Sequence, residues 1–147
     1  MSKEKRFIAF DLGLNFGYYD GEVSGCIRVS NKKRMFSFYD TILNMLVSGR
    51  AGSPYKAIIF EDAKFQKGNA IYNFNAQKGI LQLLAESLNI EFIGYPPMTV
   101  KKAFCGSGRA TKEDMLAKAS EITGTKIKNH NEADAIGVYH THLKEIK

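Results

Sequence analysis

Long apolar runs are missing from this 147-residue chain, the longest being of the kind Ala57-Ile58-Ile59-Phe60. A membrane-spanning helix needs roughly 20 such residues, so none is expected and a membrane partner is excluded. Cysteine is scarce as well. Cys26 and Cys105 stand far apart with no C-x-x-C spacing, which removes a zinc knuckle or a disulfide framework and reads as two reduced cytosolic thiols. Internal repeats, low-complexity segments and stretches depleted of apolar side chains are lacking, which excludes a disordered chain. A signal peptide is not expected either: the basic start Met1-Ser-Lys-Glu-Lys-Arg6 leads into a strand-like run with an acid at position 11, so the chain is placed in the cytoplasm.

What is present suits one compact α/β unit. The chain has 44% hydrophobic residues, enough for one core, and residues 1–147 are read as a single domain. Twenty-one Lys and Arg against 15 Asp and Glu give a net charge of +6, which suits a polyanionic partner but is shared by many proteins without one.

Phe7 to Asp11 is apolar up to its acid, and Gly13 and Gly17 precede the pair Tyr18-Tyr19, a pattern of strand, tight turn and strand. Asp20-Gly21 predicts a two-residue hairpin into a third strand within Val23 to Ser30. Ser37, three residues before Asp40, predicts a helix N-cap ahead of Ile42, Leu43, Met45, Leu46 and Val47, with Gly49 and Gly52 ending the helix. Lys56 to Glu61 reads as a buried strand, Ile71 to Leu88 as a long helix, and Ile90 to Tyr95 as a strand closed by Pro96-Pro97. A short helix from about Thr99, a glycine turn Gly106-Ser-Gly108, a helix opened by the capping pattern Thr111 to Asp114, and a last helix from around Asn131 complete the chain. An antiparallel meander thus feeds a parallel half. With right-handed crossovers the first strand falls centrally, giving a five-stranded mixed sheet of order 3-2-1-4-5 flanked by helices, which resembles the ribonuclease H-like arrangement.

Three acids carry the chemistry. Asp11 and Glu61 end apolar strands, which in a parallel neighbouring pair sets them at one sheet edge, and strands ~4.8 Å apart let two carboxylates share an ion. Asp134, read as lying in the first turn of the last helix, can close over that edge. Such an oxygen-rich cage suits Mg²⁺, and two ions ~3.5–4 Å apart can activate a water and stabilise a departing 3′ oxygen. Each acid alone also fits a plain role as turn residue, cap or complement to a helix dipole. The stretch Asp11-Leu-Gly-Leu-Asn-Phe-Gly17 lets backbone turn tightly and gives a phosphate or metal access unobstructed by a Cβ. Sugar kinases and actin-like ATPases use a related hairpin, but with two such domains around the nucleotide.

These residues resemble the RuvC family of Holliday junction resolvases, its short phage members in particular. Asp11-x-Gly13 is similar to the family's first acid motif, Ile59-Phe60-Glu61 to its second, and Ala133-Asp134-Ala135-Ile136 to its terminal A-D-A-[LI] motif. Between them Val100-Lys101, Gly106-x-Gly108 and Lys112 reproduce the spacing V-K-x4-G-x-G-x3-K. The resemblance implies a ribonuclease H-like fold, a homodimer, and a four-way DNA junction nicked symmetrically in two strands. It implies that Asp11, Glu61 and Asp134 bind metal, with two Mg²⁺ ions per site and Mn²⁺ able to substitute, and that Lys101 and Lys112 contact the scissile phosphate. If the source is viral, the bacterial host's cytoplasm is implied.

Two positions depart from the family pattern. Three residues before Asp134, where the family carries an aspartate or histidine, stands Asn131, whose carbonyl oxygen can still reach a metal; the adjacent Glu132 points roughly 100° away. Where the family wedges a phenylalanine into the junction, three residues after the second acid, the chain has Lys64 followed by Phe65. Phe65, Tyr72 or Phe74 can take over base stacking, or simply pack in the core or on the surface. Lys32, Lys33, Arg34, Lys64, Lys67 and Arg109 are read as DNA contacts, with a charged turn as the plain alternative for the run Asn31 to Arg34. His130, His140 and His142 are read as surface or partly packed residues, and the exposed part of the Asn69 to Leu88 helix as the dimer contact. The leading expectation is a Mg²⁺-dependent endonuclease acting on branched DNA. The alternatives are a non-catalytic binder of branched DNA and a nuclease of this fold with another nucleic-acid substrate.

Overall fold

The computed structural model describes residues 7–47, 52–64 and 67–146. In chain order the elements are β1 (Phe7–Asp11), β2 (Asn15–Tyr19), β3 (Ser24–Arg28), α1 (Arg34–Val47), β4 (Ala57–Glu61), α2 (Asn69–Leu88), β5 (Glu91–Tyr95), α3 (Pro97–Cys105), α4 (Lys112–Thr123) and α5 (His130–Glu145). The strands form one sheet of order β3-β2-β1-β4-β5, as the sequence predicts. β1 pairs antiparallel with β2 and β2 with β3, while β1, β4 and β5 run parallel. The carboxyl ends of β1, β3, β4 and β5 therefore share one edge.

Strand alternation sorts side chains into two cores. Ile8 and Phe10 of β1 and Ile58 and Phe60 of β4 face α1 and α2, packing with Phe38, Ile42, Leu46, Leu81 and Leu84. Ala9, Ala57 and Ile59 face the other way, against Val100, Phe104, Met115 and Ile136 of α3, α4 and α5. Burying both faces explains why β1 and β4 read as continuous apolar runs. The same parity sends Asp11 and Glu61 to the α5 face.

Local chemistry moves three boundaries from their predicted places. The β2–β3 connection takes four residues, not two, because Asp20 Oδ1 accepts the backbone N–H groups of Glu22 (3.0 Å) and Val23 (2.8 Å). Tyr55 Oη, 2.9 Å away, donates to the other oxygen of that carboxylate. α1 begins at Arg34 instead of being capped by Ser37, since Ser37 N–H already donates to the Lys33 carbonyl at 2.8 Å. α5 begins at His130 with Asn129 as N-cap, its side chain accepting from Glu132 N–H at 3.0 Å, so Asp134 occupies the second turn and not the first. The capping box predicted at Thr111 and Asp114 is present, each side chain bonded to the other's backbone N–H. Gly49, the predicted end of α1, lies outside the described residues.

Candidate metal centre

α5 lies across β1, β2 and β4 on the face to which Asp11 and Glu61 point. Its approach depends on Gly17: a Cβ there would overlap the carbonyl of Asn131 at the start of the helix. The sequence assigned this glycine to the approach of a phosphate or metal, whereas the space is taken by the α5 backbone. Gly13 is fixed differently. Its N–H donates to Gln77 Oε1 and its carbonyl accepts from Gln77 Nε2, both at 2.8 Å, so the turn after Asp11 is clamped to α2 by a fully buried amide.

The outcome is a cluster in which Asp11, Glu61 and Asp134 each bring a carboxylate oxygen within 4.8 Å of the others. Burial, together with Asp134 and Glu61, holds Asp11 well above the usual carboxylate range against the lowering influence of Lys112. Burial and the Asp134 charge push Glu61 up to about 7, opposed by Lys101. Asp134 is raised to about 6 by burial, with His130, Lys101 and Lys112 pulling it down. Three acids that resist ionisation together are stabilised as carboxylates by added positive charge. The donors are all hard oxygens, matching a magnesium-like cation, so the residues present fit a divalent metal.

The lysines come from the α3–α4 corner. Gly106, at φ 85° in the left-handed region, caps α3 with its N–H on the Lys102 carbonyl at 2.9 Å and lets the chain turn back. Lys101 on α3 and Lys112 at the start of α4 thereby both act on the acid cluster. Arg109 is exposed in the intervening turn.

Two neighbours of Asp134 do not join the cluster. Asn131, expected to face the acids, directs Nδ2 toward Cys26 Sγ of β3 at 3.9 Å. Glu132 accepts from Ser24 Oγ at 2.6 Å. Both follow from α5 resting on β2 and β3. His130, read from the sequence as a surface or partly packed residue with a local supporting role open to it, adds its charge to those of Lys101 and Lys112 in pulling Asp134 down. Its position four residues earlier, one helical turn away, was the available signal.

The other predicted contacts are scattered along the same edge. Lys32 and Lys33 are exposed after β3, and Lys64 and Lys67 after β4, with Lys64 Nζ 3.7 Å from Asp62. Arg34 is engaged inside the fold, its Nη1 donating to Asn73 Oδ1 at 3.4 Å and so tying α1 to α2. Phe74 is buried in the core and unavailable for stacking, Tyr72 is exposed, and Phe65 lies outside the described residues. His142 is buried with Nδ1 2.7 Å from Tyr95 Oη, and His140 stacks on Phe104 and Tyr19. Among the described residues no helix is long and apolar enough to cross a membrane.

No protein-family model matches the chain. It is 30% identical over 129 residues to the crossover junction endodeoxyribonuclease RuvC of Ehrlichia ruminantium, covering 84% of this chain and 79% of that protein. Identity to the RuvC of Natranaerobius thermophilus is 32% over 112 residues, 74% of this chain and 67% of that protein. A shorter match to the RuvC of Sulfurovum sp. is 40% identical over 58 residues, 38% of this chain and 36% of that protein. Among solved structures, Thermus thermophilus RuvC superposes with a TM-score of 0.73 at 23% identity, covering 93% of this chain and 92% of that one. The structure described as T. thermophilus RuvC in complex with Holliday junction substrate gives 0.76 at 22%, covering 95% and 93%. The shared sheet, the convergent acids and kinship over most of both sequences lead to one conclusion: this chain belongs to the RuvC family of crossover junction endodeoxyribonucleases.

Proposed function

We propose that this chain is a Mg²⁺-dependent endonuclease that nicks four-way DNA junctions, acting as a homodimer in the cytoplasm, with residues 1–147 forming a single nuclease domain. The observation that carries this reading is the meeting of Asp11, Glu61 and Asp134 at the carboxyl edge of β1 and β4, under two lysines. Two Mg²⁺ ions, when bound, would supply a water nucleophile polarised at neutral pH and charge stabilisation for the departing 3′ oxygen.

The chain's own residues do the rest. Asp11 and Glu61, on neighbouring central strands, and Asp134, on the helix packed over them, are held by rigid elements, so the carboxylates are preorganised for the cation. Lys101 and Lys112 supply fixed positive charge that favours the ionised acids and attracts the scissile phosphate as compact point charges. Lys32, Lys33, Lys64 and Lys67, exposed on connections at the same edge, would neutralise flanking phosphates, with Arg109 in the α3–α4 turn extending that surface. The relatives' designation as crossover junction endodeoxyribonucleases supports the substrate, and so does the likeness to a RuvC described with Holliday junction DNA. A two-fold substrate favours a two-fold protein. The exposed stripe of α2, with Tyr72 at 69% and Leu83 at 58% exposure three helical turns apart, supports the contact between copies.

Nicking of an immobile four-way junction, with and without Mg²⁺, tests the reading when run beside a linear duplex and an RNA–DNA hybrid. Wild type should cut the junction only with the metal, in two symmetric strands, and Asp11→Asn should bind without cutting. Equal cutting of all three substrates would remove the junction specificity, and metal-independent cutting would remove the mechanism.

A further inference from the structure

α2 lies behind the sheet, on the face opposite the acids, and two consecutive residues in its middle reach the chain just beyond each strand-end acid. Gln77 holds Gly13, two residues after Asp11, through both halves of its amide. Lys78 holds Asp62, the residue after Glu61, its Nζ donating to both carboxylate oxygens at 3.2 Å. The same ammonium stands 5.5 Å from the centroid of the Phe60 ring, within the range of a cation–π contact. Lys78 therefore grips the residues on either side of Glu61 from behind the sheet.

Strand parity makes this grip bear on the metal centre. Phe60 and Asp62 point to the α2 face and Glu61, between them, to the α5 face, so fixing the outer two fixes the pleat that aims the third. Asp62 N–H also donates to the Tyr95 carbonyl at 2.8 Å, which carries the β4–β5 pairing one residue past Glu61. Only then does the chain turn sharply, with Ala63 N–H on the Glu61 carbonyl at 3.2 Å and Lys64 N–H on the Asp62 carbonyl at 3.1 Å. The Asp62 side chain is 12% exposed, so its pair with Lys78 is shielded from water, whereas the Lys64 ammonium 3.7 Å away belongs to an exposed side chain. The charges that move Glu61 are those of Asp134 and Lys101, and Lys78 acts on it by geometry.

We propose that Lys78 is a positioning residue for Glu61, acting through Asp62, and that α2 is a common back-plate that sets the spacing of the two strand-end carboxylates for the cation. This deepens the metal-nuclease reading and rests on it.

Calorimetric titration of the DNA-free protein with MnCl2, beside junction binding and single-turnover nicking, tests this. Lys78→Met keeps the apolar stem and removes the charge. It should weaken Mn²⁺ binding about 10-fold and lower the nicking rate at saturating protein about 10–100-fold, with junction affinity changed less than about 3-fold. Asp62→Asn should do the same, and the double variant should lose no more than the worse single one, since both substitutions remove one interaction. Lys78→Arg, whose guanidinium can span both oxygens, should return Mn²⁺ affinity to within about 3-fold of wild type. Leu88 packs half-buried at the far end of α2, and Leu88→Ala separates positioning from stability: it should lower the urea midpoint and keep Mn²⁺ affinity within about 2-fold. Circular dichroism checks that each variant is folded. Lys78→Met binding Mn²⁺ as tightly as wild type, losses that add in the double variant, Lys78→Arg no better than Lys78→Met, or an equal loss in Leu88→Ala would overturn the proposal while leaving the nuclease reading intact. No Mn²⁺ binding by wild type, or Asp11→Asn binding as wild type does, would overturn both.

Discussion

Gln77 and Gly13 hold each other through both halves of a side-chain amide, oxygen to N–H and NH2 to carbonyl, each at 2.8 Å. The turn that follows Asp11 is thereby tied to the middle of α2, on the opposite side of the sheet from the acids. Gln77→Leu keeps the volume but leaves a backbone donor and acceptor unpaired, and should cost about 2–3 kcal/mol in urea unfolding. Junction cleavage should fall more than binding, because Asp11 loses its fixed orientation.

Gly17 sets how closely α5 approaches the sheet. Gly17→Ala forces a methyl group into the Asn131 carbonyl, so the helix must move. We expect a loss of about 2–3 kcal/mol in thermal or urea unfolding, with Mg²⁺-dependent nicking reduced at least about 100-fold even where the variant is fully folded. A folded, fully active Gly17→Ala protein would show that the helix position does not matter to the acids.

Much of this was legible in the sequence, and the parts that were not share a physical cause. The apolar runs ending at Asp11 and Glu61, and the Thr111 capping box, are local signals, and strand parity carries the two acids to one face. Long-range side-chain pairing is invisible to such signals. Nothing local marks Gln77 as the partner of Gly13, Arg34 as a tie to Asn73, or Gly17 as a seat for α5. The same holds for α5: the motif spacing pointed to Asn131, while packing on β2 and β3 turned that side chain toward Cys26.

The acids predict a pH dependence of known sign. Glu61 is pushed up to about 7 and Asp134 to about 6, above their unfolded values near 4.5 and 3.8, and Asp11 is raised as well. The folded, metal-free protein therefore binds protons that the unfolded chain has released, and its stability falls as pH rises from about 4 to about 7. Glu61→Gln should match wild type near pH 4 and exceed it by about 1–3 kcal/mol at pH 7.5 without metal. Saturating Mg²⁺ should stabilise wild type more than the variant. Urea unfolding of both proteins at the two pH values, with and without the ion, measures these stabilities.

Lys101 and Lys112 divide the acids between them, Lys101 acting on Glu61 and Asp134 and Lys112 on Asp11 and Asp134. Replacing either by Ala should lower the cleavage rate at saturating protein about 10–100-fold, with junction affinity changed less than about 3-fold. In both variants the alkaline shift of the pH–rate profile should be visible, because the carboxyls lose a counter-charge. A Lys101→Ala protein with unchanged rate and profile would restrict that lysine to the surface.

Anomalous scattering at the manganese edge, from crystals grown without DNA and soaked in MnCl2, locates bound cations outright. A peak within coordination distance of carboxylate oxygens from Asp11, Glu61 and Asp134 together is the expected result. Full occupancy elsewhere, with those three carboxylates free of metal, would contradict it.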